Sequence, residues 1–327
     1  MQSEANGYNK IFIPQNPAEI DFINIPRGCK MLIEFRVSNF RSLRDEQVLS
    51  MVASKDKTLA STHTVPTGVT AAPALLRSAA IYGPNAGGKS NLIKALQYMR
   101  GVVVESATIA PSQTFGVQPF RLDTASAGLP TEFEVTFLLD GVRYQYGFAM
   151  TAERIVGEHL LVYKAFKPQH WFTRRHDATT GRDVYDFGPA LKGQKSVWES
   201  ATRSNALFLS MAVQLNSEQL TPVFDWFARQ LVIFNEHATL NPRVTLQMLR
   251  DPAAKRSICT FLNAADISIA DIDVVTYDDD QDELRFKHTT SKGEAVFGMG
   301  DESSGTRNLL FMIGPILDIV RNGLTLV

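Results

Sequence analysis

The stretch Ser78–Leu96, SAAIYGPNAGGKSNLIKAL, decides how the rest of the chain is read. The run from Ser78 to Tyr82 has the length and composition of a short buried strand. A glycine-rich turn follows, and residues from Gly88 to about Arg100 have the composition of a helix. Gly83, Pro84, Asn85, Ala86, Gly87, Gly88, Lys89 and Ser90 fit G-x-x-x-x-G-K-[ST]. The glycines let several backbone N–H groups point into one hollow without Cβ crowding. The helix that follows, with Asn91 in its first turn, offers its positive end to an anion. Lys89 is placed to reach β- and γ-phosphates, and the Ser90 hydroxyl to bind Mg²⁺. The pattern therefore implies a nucleoside triphosphate with magnesium, held by residues 83–91.

The chain has 327 residues, 44% hydrophobic and 20% charged, enough for a large core and for two domains or one domain with a large insertion. A net charge of -1 excludes a global field that attracts nucleic acid or acidic membranes, though not a local basic patch. Cys29 and Cys259 stand far apart, so no disulfide framework or zinc spacing follows, and a reducing cytoplasm is the expected setting. The most apolar late segment, NLLFMIGPILDIV, is interrupted by Gly314, Pro315 and Asp318 and falls short of the roughly 20 residues a bilayer span needs, so no membrane partner is expected. The first residues lack a basic start followed by an apolar block. Met31 opens a cleaner strand, MLIEFRV, and residues 1–30 read either as an arm or as a start assigned too early.

LIEFRVSNFRSLRDEQVLSMV predicts two strands around a polar turn, with Val37, Phe40, Leu43 and Val48 partly buried. Residues 55–75, rich in Thr, Ala and Pro, predict a loop. From Glu132 the residues alternate around Asp140-Gly141, and again around Thr180-Gly181, which predicts an antiparallel meander. Residues 197–265 read mainly as helix, with Ser217 as an N-cap of SEQLTPVFDWFARQL. ISIADIDVVTYDDDQDELRFKH predicts strands around an acidic turn. DESSGTRNLLFMIGPILDIVRNG predicts a long helix, and LTLV the start of a strand.

IEFRVSNFRSLRD followed by IYGPNAGGKSNLIKAL resembles the ATPase heads of the ABC, RecF and SMC type, and more narrowly the prokaryotic AAA_15/AAA_21 ATP-binding proteins. TEFEVTFLLDGVRYQYGFAM is similar to their antiparallel lobe, SNALFLSMAVQLN to a helix they carry, and DESSGTRNLLFMIGPILDIVRNGLTLV to their signature helix and the strand after it. The resemblance implies an α/β P-loop NTPase: a mixed sheet, an antiparallel β lobe and a helical insertion. It places the head in residues 31–190 and 266–327 and the insertion in 191–265.

The resemblance also implies that two heads sandwich two ATP molecules, as a homodimer or higher oligomer. The signature turn of one head then caps the γ-phosphate held by the other. That turn falls on Glu302-Ser303-Ser304-Gly305-Thr306, where Ser303 acts in trans and Gly305 approaches the nucleotide. It departs from the usual L-S-G-G-Q/E, keeping the serine and one glycine. A capped helix start would also account for it. Arg41 corresponds to a basic residue near the nucleotide, with a surface turn arginine as the alternative. Gln118 is a candidate for the glutamine that senses Mg²⁺ and the attacking water. The Asp-Glu pair that holds Mg²⁺ and orients water is expected one or two residues beyond Val327, so hydrolysis of ATP is conditional on it.

YKAFKPQHWFTRRH (163–176) interleaves Lys164, Lys167, Arg174 and Arg175 with aromatics, a composition that suits nucleic acid as well as a solvated hairpin face. His170 and His176 have no Cys or carboxylate at ligand spacing. DDDQDE (278–283) reads as a charged turn, and Glu236 and His237 as loop residues. The resemblance as a whole implies a cytoplasmic, Mg²⁺-dependent ATPase of a mobile defence system, acting on a separate effector such as a nuclease. A DNA-repair ATPase that contacts DNA directly and an ATP-binding scaffold without hydrolysis are the alternatives.

Overall fold

The computed structural model describes residues 30–234, 242–277 and 282–327. Cys29, Glu236, His237 and Asp278–Gln281 of the acidic turn lie outside them, as does the N-terminal segment before residue 30. The described residues fall into two compact units. One holds residues 30–234 with 323–327, the other 242–322.

The first unit is built on β1 (Lys30–Ser38) and β2 (Gln47–Ser50). The expected loop at 55–75 is instead a short helix, Ala60–His63, followed by the hairpin β3 (Thr64–Val69) and β4 (Ala72–Leu76). Its apolar residues explain the correction. Ala72 and Leu75 pack with Ile33 and Leu138 in a small cluster of their own. The meander follows as β5 (Thr131–Leu139), β6 (Val142–Met150), β7 (Ile155–Tyr163), β8 (Gln169–Asp177) and β9 (Arg182–Phe187). Asp140 and Gly141 both take positive φ, 51° and 80°, which fits the two-residue hairpin turn read from their sequence. The sheet order is β2-β1-β5-β6-β7-β8-β9, with every neighbouring pair antiparallel. A parallel pairing joins β10 (Leu231–Val232) to Thr325–Leu326, so LTLV does enter a ladder.

The helix Lys89–Glu105 lies on the sheet. Ala95, Leu96, Met99, Val102 and Val103 form its buried side, at helical spacing. Tyr98 adds rings 5.8 Å from Phe40 and 5.9 Å from Phe133. The helices Lys195–Ala201, Phe208–Gln214 and Thr221–Asp225 and the turn Trp226–Gln230 belong to this same unit: Trp198, Phe208, Val223 and Trp226 enter its core, and Trp226 stacks on Phe137 at 4.2 Å. Residues 191–265 are thus not one separate piece: up to residue 234 they complete the sheet's own core, whereas Pro252–Ala264 packs in the second unit. Leu220 rather than Ser217 is the N-cap of Thr221–Asp225, since Pro222 fixes the start of its first turn.

The second unit packs the helices Pro242–Leu249, Pro252–Ala264 and Ser304–Asn322 with the antiparallel sheet β11 (Asp271–Thr276), β12 (Asp282–Thr290) and β13 (Gly293–Gly298). The long helix runs unbroken through Pro315. Proline removes the N–H that would bond the Phe311 carbonyl. The buried Thr245 hydroxyl donates to the Leu310 and Phe311 carbonyls, at 3.2 and 3.4 Å. Gly314 makes the approach available: a Cβ there would lie 2.2 Å from Thr245 Oγ1. Among the described residues no helix is long and apolar enough to cross a membrane.

Candidate functional site

The glycine-rich turn is exposed and leads straight into the helix Lys89–Glu105. Gly88 is its N-cap, at φ 85°. Its first turn carries no acidic side chain, so its positive end is unopposed. Ala86 also takes positive φ, 63°. Lys89 Nζ curls back and donates to the Gly83 and Pro84 carbonyls at 2.8 and 2.7 Å. An ammonium group, a helix end and the exposed Ser90 hydroxyl thus face one turn, a donor set suited to phosphate oxygens and to Mg²⁺.

The strand expected at 78–82 is not formed. Those residues join no ladder with a described strand, and Ile81 and Tyr82 are 38% and 89% exposed. An apolar run has strand propensity, but a strand also needs a neighbour for its N–H and C=O groups.

The polar turn between β1 and β2 packs against this loop. Asn91 Nδ2 donates to Ser42 Oγ at 2.7 Å. A Cβ on Gly88 would meet Leu43 Cδ2 at 2.9 Å. Arg41, itself at φ 51°, donates its N–H to the Gln118 carbonyl at 2.7 Å. Arg41, Gln118 and the loop residues, separated in sequence, are therefore brought together by two hydrogen bonds. The side chains of Arg41 and Gln118 are exposed. Gly88→Ala is expected to destabilise this unit by about 1–3 kcal/mol, from left-handed strain together with the Leu43 contact. Urea unfolding measures it, and an unchanged midpoint would show that the loop can move away from Leu43.

Sequence reasoning missed Asn39. It is 6% exposed, at φ 52°. Its amide donates to the carbonyls of Ser126, Leu129 and Pro130 at 2.9, 2.8 and 3.1 Å and accepts from the Phe120 N–H at 3.0 Å. An asparagine at positive φ beside a turn is the signal that could have found it. Also missed were residues that hold the far end of the loop's helix. Ser210 Oγ donates to the Val103 carbonyl at 2.6 Å, and the Leu207 N–H donates to Ser106 Oγ. Arg203 donates to the Ala107 and Ile109 carbonyls, and Asn205 to those of Ala110, Pro111 and Gln113.

The basic aromatic segment divides by strand alternation. Arg175 is exposed, but Arg174 is buried, 1% exposed, and cannot contact nucleic acid. Arg174 stands opposite Glu158 in the β7–β8 ladder. Its guanidinium donates to the Asp183 carboxylate at 2.7 Å and to the Ala206 and Arg203 carbonyls, with Glu158 Oε2 at 3.7 Å. Glu158 also accepts from Tyr146 and from the N–H groups of Phe208 and Leu209, capping the helix Phe208–Gln214. Burial pushes the Glu158 carboxyl above its ordinary range despite Arg174 and these donors. Burial also acts to raise Asp183, yet Arg174 and Arg154 outweigh it and hold that carboxyl low. His176 pairs with Asp183 at 3.1 Å. Among the described residues no group of three His, Cys, Asp or Glu is placed to hold a metal ion. Lys164, Phe166 and Lys167 remain exposed at the β7–β8 tip.

In the second unit, Ser303 Oγ accepts the Thr306 N–H at 3.0 Å and caps the helix Ser304–Asn322. Ser303 and Gly305 are exposed. Just before them, Glu302 is held by His288 Nε2 at 2.6 Å.

No curated protein matches the chain. A triphosphate-type loop at a helix start, carried on an α/β framework, agrees with the family comparison: residues 78–318 match AAA_21, an AAA domain whose description names the AbiEii toxin and a type IV TA system, and the chain belongs to this prokaryotic family of AAA-type P-loop ATPases.

Proposed function

We propose that this chain is an ATP-binding head that dimerises around two Mg-ATP and thereby regulates a separate effector, such as a nuclease, in a prokaryotic defence system. The observation that carries the proposal is the exposed glycine-rich turn at a helix start, with the Lys89 ammonium folded over it, Ser90 exposed in the first turn, and the turn of Arg41 held beside it through Ser42 and Asn91. Residues 83–91 hold the triphosphate, and Ser90 with Gln118 hold Mg²⁺. The metal supplies charge neutralisation at the β- and γ-phosphates. Ser303 and Gly305 of a second copy complete the site, with the exposed helix N-terminus facing the γ-phosphate. Nucleotide shifts the population between separate and paired heads because the paired state alone offers both surfaces. Turnover belongs to this proposal only with an acidic pair after LTLV; without it the head is a nucleotide-gated scaffold.

Direct action on DNA is less well supported, because Arg174 is committed to the interior. Light scattering tests the proposal. The mass is expected to double when Mg-ATP is added to the monomeric chain, and to fall back when nucleotide is removed. A mass that stays single at saturating nucleotide rejects the dimer.

A further inference from the structure

Asn39 takes part in none of the roles above, yet its side chain binds four main-chain groups beside the turn that packs on the loop. Its amide makes four hydrogen bonds to the main chain of residues 120–130, and its own carbonyl accepts the Thr131 hydroxyl at 2.7 Å. Its N–H donates to the Arg44 carbonyl at 3.1 Å, closing the turn that contains Arg41 and Ser42. This one residue therefore ties two pieces together. One is the turn 40–43, which touches Asn91 and Gly88. The other is the segment that begins at Gln118, two residues before the Phe120 N–H that Asn39 holds.

The backbone requirement is separate from the side-chain one. Asparagine tolerates φ 52° because its short polar side chain bonds locally. Glycine would tolerate it too, without supplying a single side-chain hydrogen bond. One of the four amide bonds is buried and three are partly buried, and Asn39 itself is buried, so the position is over-determined: a shift of residues 118–131 would leave its amide unpaired.

We infer that Asn39 is a positioning residue that sets where Gln118 stands relative to Ser90, and so tunes Mg²⁺ in the nucleotide site. The inference rests on the nucleotide function proposed above. Gln118 reaches the loop through Arg41, whose N–H holds the Gln118 carbonyl, and through Ser42, which holds Asn91 next to Ser90. Asn39 fixes both ends of that connection. Partners outside the metal's own ligands orient those ligands in this way, and their loss weakens metal binding without removing a ligand.

The test is calorimetry of the full chain with Mg-ATP and with ATP in EDTA. Asn39→Gly keeps the left-handed backbone and removes the four bonds. It is expected to weaken Mg-ATP binding roughly tenfold while leaving ATP in EDTA unchanged. Gln118→Ala should do the same, and the double variant should be no worse than either single one, since both act through one contact. An unchanged Mg-ATP affinity, an equal loss with and without Mg²⁺, or additive losses would each overturn the inference. If Asn39→Gly does not fold, Asn39→Asp keeps the acceptor for Phe120 and loses the three donated bonds, and the same outcomes decide. A wild-type chain that binds no Mg-ATP sinks the proposed function itself. A wild-type chain that binds, beside an unaffected Asn39→Gly, sinks only the role of Asn39.

Discussion

Lys89→Ala is expected to lower Mg-ATP affinity at least about a hundredfold, or roughly 2.7 kcal/mol. The present contacts of this lysine show why. Its ammonium rests on the Gly83 and Pro84 carbonyls, at the mouth of a turn whose other groups are exposed. A triphosphate oxygen is a stronger, charged acceptor than a neutral carbonyl. Binding therefore exchanges two modest hydrogen bonds for charge-assisted ones at little conformational cost, since the side chain is already folded over the loop. Alanine removes the charge and leaves the main-chain amides alone to hold the anion. Calorimetry with Mg-ATP reads the effect directly. Folding should be nearly unaffected, because the lost bonds are exposed. Retained affinity in a folded Lys89→Ala chain would refute phosphate binding by this turn.

Arg174→Met is expected to destabilise the first unit by about 3–5 kcal/mol, the cost of leaving the buried Glu158 carboxyl without its cation, while Asp183 keeps Arg154 at 2.6 Å. For a unit of this size that lowers the melting temperature by about 10 °C. Arg175→Met, one residue on and exposed, should change stability by less than about 0.5 kcal/mol. The pH dependence has a definite sign. Glu158 has a folded pKa above its ordinary 4.5, so its ionisation costs stability as pH rises through 4.5 towards that folded value, and the cost vanishes below 4.5. Without Arg174 this cost grows, so the deficit of the variant should be largest near pH 7 and shrink in acid. Asp183 works in the opposite sense in the wild type. Its stabilisation is complete above the ordinary 3.8 and is lost as pH falls through its lower folded value. Urea unfolding across that range checks both trends. A deficit that does not change with pH would show that packing, not charge, is what Arg174 supplies.

The adjacent arginines show where the sequence could be read and where it could not. Strand alternation alone requires Arg174 and Arg175 to face opposite sides. Which of them points inward depends on the ladder that sets Arg174 against Glu158, a residue on another strand. Their composition resembles a nucleic-acid surface, and it cannot reveal that one cation is spent on internal carboxylates. The meander and its Asp140-Gly141 turn were legible because alternation and turn chemistry are local signals. The loop motif was legible for the same reason. The strand expected before it was not, because a ladder depends on a neighbour rather than on the apolar residues of 78–82. Arg41 and Gln118 were reached through family resemblance; nothing local in either segment announces that one donates to the other. Asn39 escaped because its partners lie about ninety residues ahead.

The clasp formed by Arg203, Asn205 and Ser210 has a consequence for biosynthesis. The carbonyls from Val103 to Gln113 take these bonds from residues that are translated roughly a hundred positions later. Such distant pairings are slow to form and must await synthesis of the later partner. The nascent polypeptide is therefore expected to leave the ribosome with the rear of the helix Lys89–Glu105 undocked, and that end to settle only after residue 210 has emerged.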